Sequence, residues 1–268
     1  MNLEHRFREF LPEARRIVVK IGTRVIAQKT GRPDLLPLKS LVAQVAELHR
    51  QGFEILLVSS GAVGAGVEAL GITSRPKSVP DLQMCAAVGQ ARLMSHYEEL
   101  FSAEKITIGQ VLLTHSDFQN RIRFANAKRT MEHMIRRGVI PIINENDAVA
   151  DEEIKADLSL GDNDYLAALV VKLVRADLLV ILSTVDGVLD AKGKRVPYIE
   201  NLSDAFSLVT PLQAGGLSKG GMDSKLRAAQ IAVKAGCGVV IACGRNKQVL
   251  THVMAGKDTG TLILSSVL

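Results

Sequence analysis

Short aliphatic runs and segments of helical periodicity take turns along this chain, an alternation that restricts it to an α/β layer architecture. Ile17 to Ile21 reads as a strand, and a helix is predicted from about Leu38 to Arg50, with Leu41, Val42, Val45 and Leu48 on one face and Gly52 ending it. The run Ile55 to Val58 stops at Ser59-Ser60-Gly61 and completes a β-α-β start. The pattern predicts helix Asp81 to Phe101, strand Thr107 to Leu113, helix Phe124 to Arg137, strand Val139 to Asn144, helix Asp164 to Val174 and strand Leu178 to Ser183. A turn at Val185-Asp186-Gly187 and a hairpin-like stretch around Gly193 precede helix Ser224 to Ala235, strand Gly238 to Ala242 and a last apolar piece, Thr261 to Leu264. Near the start, Leu3, Phe7, Phe10 and Leu11 predict a short amphipathic helix before Pro12. The expected fold is a three-layer α/β sandwich with a central, mainly parallel sheet between helical layers, its ligands bound beyond the carboxyl ends of the strands.

Composition agrees with that frame. Hydrophobic residues make up 47% and aromatic residues 4%, with no Trp, which suits buried parallel strands and leaves few rings for stacking nucleobases. A chain of 268 residues without an evident linker is expected to form a single domain over 1–268. The net charge of +5 is compatible with nucleic acid, an acidic membrane face, anionic small substrates, or simply a solvated surface. In the densest basic stretch, Arg121, Arg123, Lys128, Arg129, Arg136 and Arg137 are interleaved with Ile122, Met131, Met134 and Ile135. That is an amphipathic helix with its charges toward water, so neither nucleic acid nor membrane is an expected partner. Cys85, Cys237 and Cys243 are odd in number and lack a CxxC pair, which predicts buried, reduced thiols and no zinc site. The first residues are charged throughout, and no later segment approaches a membrane span, which points to the cytoplasm.

Two ammonium groups define the chemistry. Lys20 closes an apolar strand and is suited either to snorkel into solvent or to meet a phosphate. Lys225 falls in the first turn of its helix, where the dipole disfavours positive charge and favours an anionic partner. Held in line with one transferring phosphoryl group, two such cations supply most of what phosphoryl transfer requires, so a kinase is the leading reading. Gly161-Asp162-Asn163-Asp164 precedes a helix; its carboxylates suit an N-cap, orientation of the two lysines, or the Mg²⁺ of a nucleotide. Asn144-Glu145-Asn146-Asp147 follows a strand at the ligand edge, suited to the α-amino group of an amino acid or to an Asx-rich loop. The segment from Val58 to Gly66 has the order GxxGxG, and no Walker-type GxxxxGK[ST] occurs, leaving an anion cradle or a tight turn. The glycines between Ala214 and Met222 suit a mobile loop or one that covers phosphate. The histidines lack ligand spacing, and Ser59 and Ser60 lack a nucleophile elbow, which argues against a hydrolase.

With Val19-Lys20-Ile21-Gly22-Thr23, the stretch from Ala86 to Leu93 and that from Gly109 to Thr114, these segments resemble the glutamate 5-kinase family of the amino-acid-kinase fold, from about Arg16 to Leu264. The resemblance implies transfer of the ATP γ-phosphoryl group to the side-chain carboxylate of L-glutamate, the first step toward proline, with Mg²⁺ accompanying ATP. It implies that Lys20 and Lys225 contact the nucleotide phosphates and that Asp162 and Asp164 organise the lysines or the metal. It assigns Ser60, Gly61, Asp147 and Asn163 to glutamate, and Ser183, Thr184, Lys219, Gly220, Gly221 and Met222 to the nucleotide. The N-terminal part then serves mainly the amino acid and the C-terminal part mainly the nucleotide. Feedback by proline, channelling to glutamate-5-semialdehyde dehydrogenase and a homo-oligomer, dimer or tetramer, are further implications. The chain departs from the family pattern at Thr184, where an Asp is usual, and in a longer stretch from Asp151 to Leu160; it is also expected to lack the C-terminal PUA domain of many members. Alternatives are a sister kinase acting on aspartate, N-acetylglutamate, carbamate or a nucleotide, a non-catalytic sensor of proline or glutamate, and a nucleic-acid-binding module.

Overall fold

The computed structural model describes residues 8–28, 33–149, 162–202, 205–206 and 221–264. The first β-α-β unit is β1 (Arg16–Ile21), α1 (Leu35–Arg50) and β2 (Glu54–Ser59). Helix α1 begins ahead of the expected Leu38 because Pro37 occupies its first turn, where a missing N–H is tolerated. Two packed helices follow, α2 (Ala62–Ala69) and α3 (Val79–Ala103), then β3 (Ile108–Leu113). A short helix, α4 (His115–Gln119), is started by a capping box between Thr114 and Asp117. The Asn120 side chain then accepts from the N–H groups of Ile122 and Arg123 and starts α5 (Arg121–Arg136). Next come β4 (Ile140–Glu145), α6 (Asp162–Val174), β5 (Leu178–Ser183), β6 (Tyr198–Ile199), α7 (Met222–Lys234), β7 (Gly238–Cys243), α8 (Val249–Met254) and β8 (Thr261–Ile263).

These strands form one sheet in the order β3-β4-β2-β1-β5-β7-β8-β6. Pairing is parallel except between β7 and β8. Strand parity separates the two apolar layers. Ile17, Val19, Ile21, Ile55 and Leu57 face α1, α3 and α8, where Leu41, Val45, Tyr97, Phe101 and Leu250 pack. Val18, Leu56, Val58, Leu179 and Ile181 face the other way, against Met131, Val170, Leu226 and Ala229 of α5, α6 and α7. The expected three-layer sandwich is therefore present.

Most expected elements are present, with ends shifted by a few residues. Helix α5 is amphipathic as read, but Ile122 lies 73% exposed at its first turn while Met131 is fully buried. The three cysteines are free and buried. Strand β6 and the short helices α4 and α8 were not anticipated, and the expected N-terminal helix lies mostly outside the described residues. No helix among the described residues is long and apolar enough to cross a membrane.

Backbone contact between α2 and α3 fixes the loop at the end of β2. A Cβ on Gly66 would lie 1.8 Å from the carbonyl oxygen of Cys85, and one on Gly89 would lie 1.8 Å from that of Ala62. Gly61, at φ +109°, turns the chain from β2 into α2. The glycines read as an anion cradle or tight turn thus have distinct tasks: Gly61 makes the turn and Gly66 permits helix contact.

Candidate active site

The parity that sorts the core also aims Lys20. Its side chain follows Val18 on the sheet face covered by α6 and α7, and emerges beneath the starts of those helices. There Lys20 Nζ lies 2.6 Å from Asp164 Oδ1, and Lys225 Nζ donates to Asp164 Oδ2 at 3.2 Å. Lys20, Lys225 and Asp164 are 7%, 6% and 1% exposed, so neither lysine snorkels into solvent. Ser224 Oγ stands 3.0 Å from Asp164 Oδ2 and 2.9 Å from the Gly221 carbonyl, sharing its proton between them. Asp164 therefore acts as the tie between two lysines rather than as an N-cap.

Burial opposes ionisation of the Asp164 carboxyl, but the two ammonium groups outweigh it and hold the carboxyl below the usual range. Burial is also the main influence on Lys225; with repulsion from Lys20 and Arg24 it lowers the ammonium pKa despite the attraction of Asp164. Two ammonium groups held together in a dry place suit an anionic ligand.

Beside this cluster runs a chain of amides. Asn163 Nδ2 faces the Ser59 carbonyl at 2.9 Å, Ser60 Oγ at 2.8 Å and Asn144 Oδ1 at 3.1 Å. Asn144 Oδ1 also accepts from the Glu145 N–H at 2.9 Å, and Asn144 Nδ2 donates to Gln90 Oε1 at 2.7 Å. Behind Ser60, Ser59 Oγ and Tyr97 Oη are 2.8 Å apart, and burial pushes the Tyr97 phenol up to about 12. Ser60 and Gly61 thus border Asn163, and Asp147 lies just beyond the end of β4, half-buried.

A model of the amino acid kinase family matches residues 15–243. Glutamate 5-kinase of Citrifermentans bemidjiense is 44% identical over 263 residues, covering 96% of this chain and 69% of the relative. That of Clostridium tetani is 42% identical over 264 residues, covering 95% and 96%. The chain belongs to the amino acid kinase family, in its glutamate 5-kinase branch. Among solved structures, carbamate kinase from Giardia lamblia bound to AMP-PNP superposes with a TM-score of 0.63 at 16% identity, covering 94% of this chain and 99% of that one, a likeness of fold.

For this amino acid kinase, the structure brings together Lys20, Lys225 and Asp164, and beside them Asn163, Ser60 and Gly61. Ser183 ends β5 half-buried, Thr184 is exposed, and Gly221 precedes the buried Met222 at the start of α7. Lys219, Gly220, the side chain of Asp162 and the longer stretch from Asp151 to Leu160 lie outside the described residues. Sequence reasoning missed Ser224, Gln90 and Tyr97. Ser224 adjoins Lys225 and was findable from that; Gln90 lies in the stretch from Ala86 to Leu93, but its meeting with Asn144 across 54 positions has no local signal. No group of three or more His, Cys, Asp or Glu among the described residues could hold a metal, and both Asp164 oxygens already face ammonium groups. A cavity of about 670 Å³ lined by His49, Arg50, Lys105 and Arg137 opens at the opposite, amino end of the strands and takes no part in this arrangement.

Proposed function

We propose that the chain transfers the γ-phosphoryl group of ATP to the side-chain carboxylate of L-glutamate, giving γ-glutamyl phosphate for proline biosynthesis. The observation that carries this is the buried convergence of Lys20 and Lys225 on Asp164, next to the amides of Asn163 and Asn144, in a member of the glutamate 5-kinase branch. The lysines offset charge as the phosphoryl group passes between oxygens, and Asp164 keeps their tips in place before the ligands arrive. The acceptor carboxylate is already ionised near neutral pH, so it needs alignment and no general base. Ser60, Gly61, Asp147 and Asn163 hold the amino acid; Ser183, Thr184 and the segment from Lys219 to Met222 hold the nucleotide. Asp162 supports the lysines from the same helix start. Since Asp164 is taken by the lysines, Mg²⁺ would be held chiefly by the phosphates of ATP, whose charge it would help neutralise.

The proposal extends, by family resemblance, to one kinase domain over 1–268 with an amino-acid side and a nucleotide side, working in the cytoplasm as a homo-oligomer. Feedback by proline and transfer of the labile product to glutamate-5-semialdehyde dehydrogenase belong to the same reading. The test is ATP-dependent acyl phosphate formation trapped with hydroxylamine. Glutamate is expected to be strongly preferred over aspartate and N-acetylglutamate; equal rates on the three, or none on glutamate, overturn the assignment.

A further inference from the structure

We propose that Gln90 is a specificity residue, whose amide N–H reads the carboxylate of the amino acid that does not receive the phosphoryl group. This rests on the glutamate kinase reading above and adds a residue and a recognition rule to it. Hydrogen-bond polarity passes through three amides, each of which has one donating and one accepting end.

The Ser59 carbonyl can only accept, so the Asn163 amide turns its Nδ2 inward and its Oδ1 away. The Glu145 N–H can only donate, so Asn144 Oδ1 turns toward it, and Asn163 Nδ2 reinforces the choice. Asn144 is left with its Nδ2 toward Gln90, which answers with Oε1. The backbone thereby fixes the direction of every amide in the relay. What remains at its ends is Gln90 Nε2, a donor, and Asn163 Oδ1, an acceptor. Both atoms are screened from solvent and have no hydrogen-bond partner among the described residues.

A donor and an acceptor left unpaired in a folded protein are costly, and such groups call for an explanation. A zwitterionic amino acid supplies both complements, a carboxylate for Gln90 Nε2 and an ammonium for Asn163 Oδ1. Distance from the phosphoryl group settles which carboxylate Gln90 takes. Asn163 adjoins Asp164 and its two lysines, Asn144 lies beyond Asn163, and Gln90 beyond Asn144. The residue itself is half-buried, and with Oε1 kept on Asn144 its Nε2 is left for the ligand. Its neighbour Gly89, pressed against the backbone of α2, holds this part of α3 close to the end of β2.

Two near-isosteric variants give opposite orders under the competing explanations. Gln90→Glu keeps an acceptor for Asn144 but presents negative charge to the substrate carboxylate; Gln90→Met loses the Asn144 bond and is neutral. A reader of carboxylate predicts that the glutamate KM rises modestly in Gln90→Met and at least tenfold in Gln90→Glu, with ATP KM within about twofold of wild type and kcat little changed. A merely structural role predicts the reverse, with Gln90→Glu near wild type and Gln90→Met impaired for both substrates. The reverse order, or an unchanged glutamate KM in Gln90→Glu, overturns the proposal. ATP KM and thermal melting report on folding of each variant. If wild type does not phosphorylate glutamate, the kinase reading fails by itself. Calorimetric titration of L-glutamate into wild type and Gln90→Glu then decides this inference separately, equal affinities refuting it and a loss of tenfold or more supporting it.

Discussion

Asp164 gathers the active-site charges onto one buried carboxylate, and the two lysines around it are not redundant. Each bonds a different oxygen, so removal of either leaves one oxygen of Asp164 without its ammonium and, on the proposed mechanism, the nucleotide with one cation fewer. Lys20→Ala and Lys225→Ala are each expected to lower kcat by on the order of a hundredfold or more, read in a steady-state kinase assay, and wild-type rates in either variant would remove the role given to that lysine. Tyr97 offers a pH test at the same scale. Its folded pKa is raised to about 12, so its neutral phenol stabilises the fold fully below the unfolded value near 10 and loses that contribution as pH climbs toward 12. In Tyr97→Phe this alkaline loss is absent. At neutral pH the variant should be weaker by about 1 kcal/mol because Ser59 Oγ loses its phenol partner, and denaturant midpoints of the two proteins should converge between pH 10 and 12.

At the scale of elements, the contact between α2 and α3 ties stability to the amino-acid wall proposed above. Gly89→Ala would place a methyl 1.8 Å from the Ala62 carbonyl oxygen, and since that atom is backbone, the helices must part. Overpacking of this kind is expected to cost about 3 kcal/mol and to raise the glutamate KM more than the ATP KM, measured by thermal melting and initial rates. Much of this scale was legible beforehand. Strand β5 was read with both its ends, and the order of strands and helices followed from the alternation of aliphatic runs. Lys20 could even be assigned a face by counting two residues from Val18. What escaped was non-local or short. The two residues of β6 exist only because β8 pairs with them, and α8 has six residues, too few for periodicity to show. Gln90 is one polar residue in a long helix, and only the folded sheet brings Asn144 to it. Glycine posed a different difficulty: the same letter serves a positive-φ turn at position 61 and bare helix contact at 66, and sequence spacing does not separate the two.

Over the whole molecule, β1 sits near the middle of the sheet, with β2, β4 and β3 to one side and β5, β7, β8 and β6 to the other. The sandwich architecture was readable from the alternation of strands and helices, and the pairing of Lys20 with Lys225 from the family resemblance. The relay of amides was not, because it depends on residues from β2, α3, β4 and α6 meeting at one point. Helix α6 begins at that point, and two successive residues of it face different duties. Asn163 turns to the wall proposed for the amino acid, and Asp164 to the cations proposed for the nucleotide. A single peptide unit thus links the two sides, so any ligand that settles one of these side chains also trims the freedom of the other. Glutamate and ATP should therefore help each other to bind, and thermodynamic reciprocity demands that the help be equal in both directions.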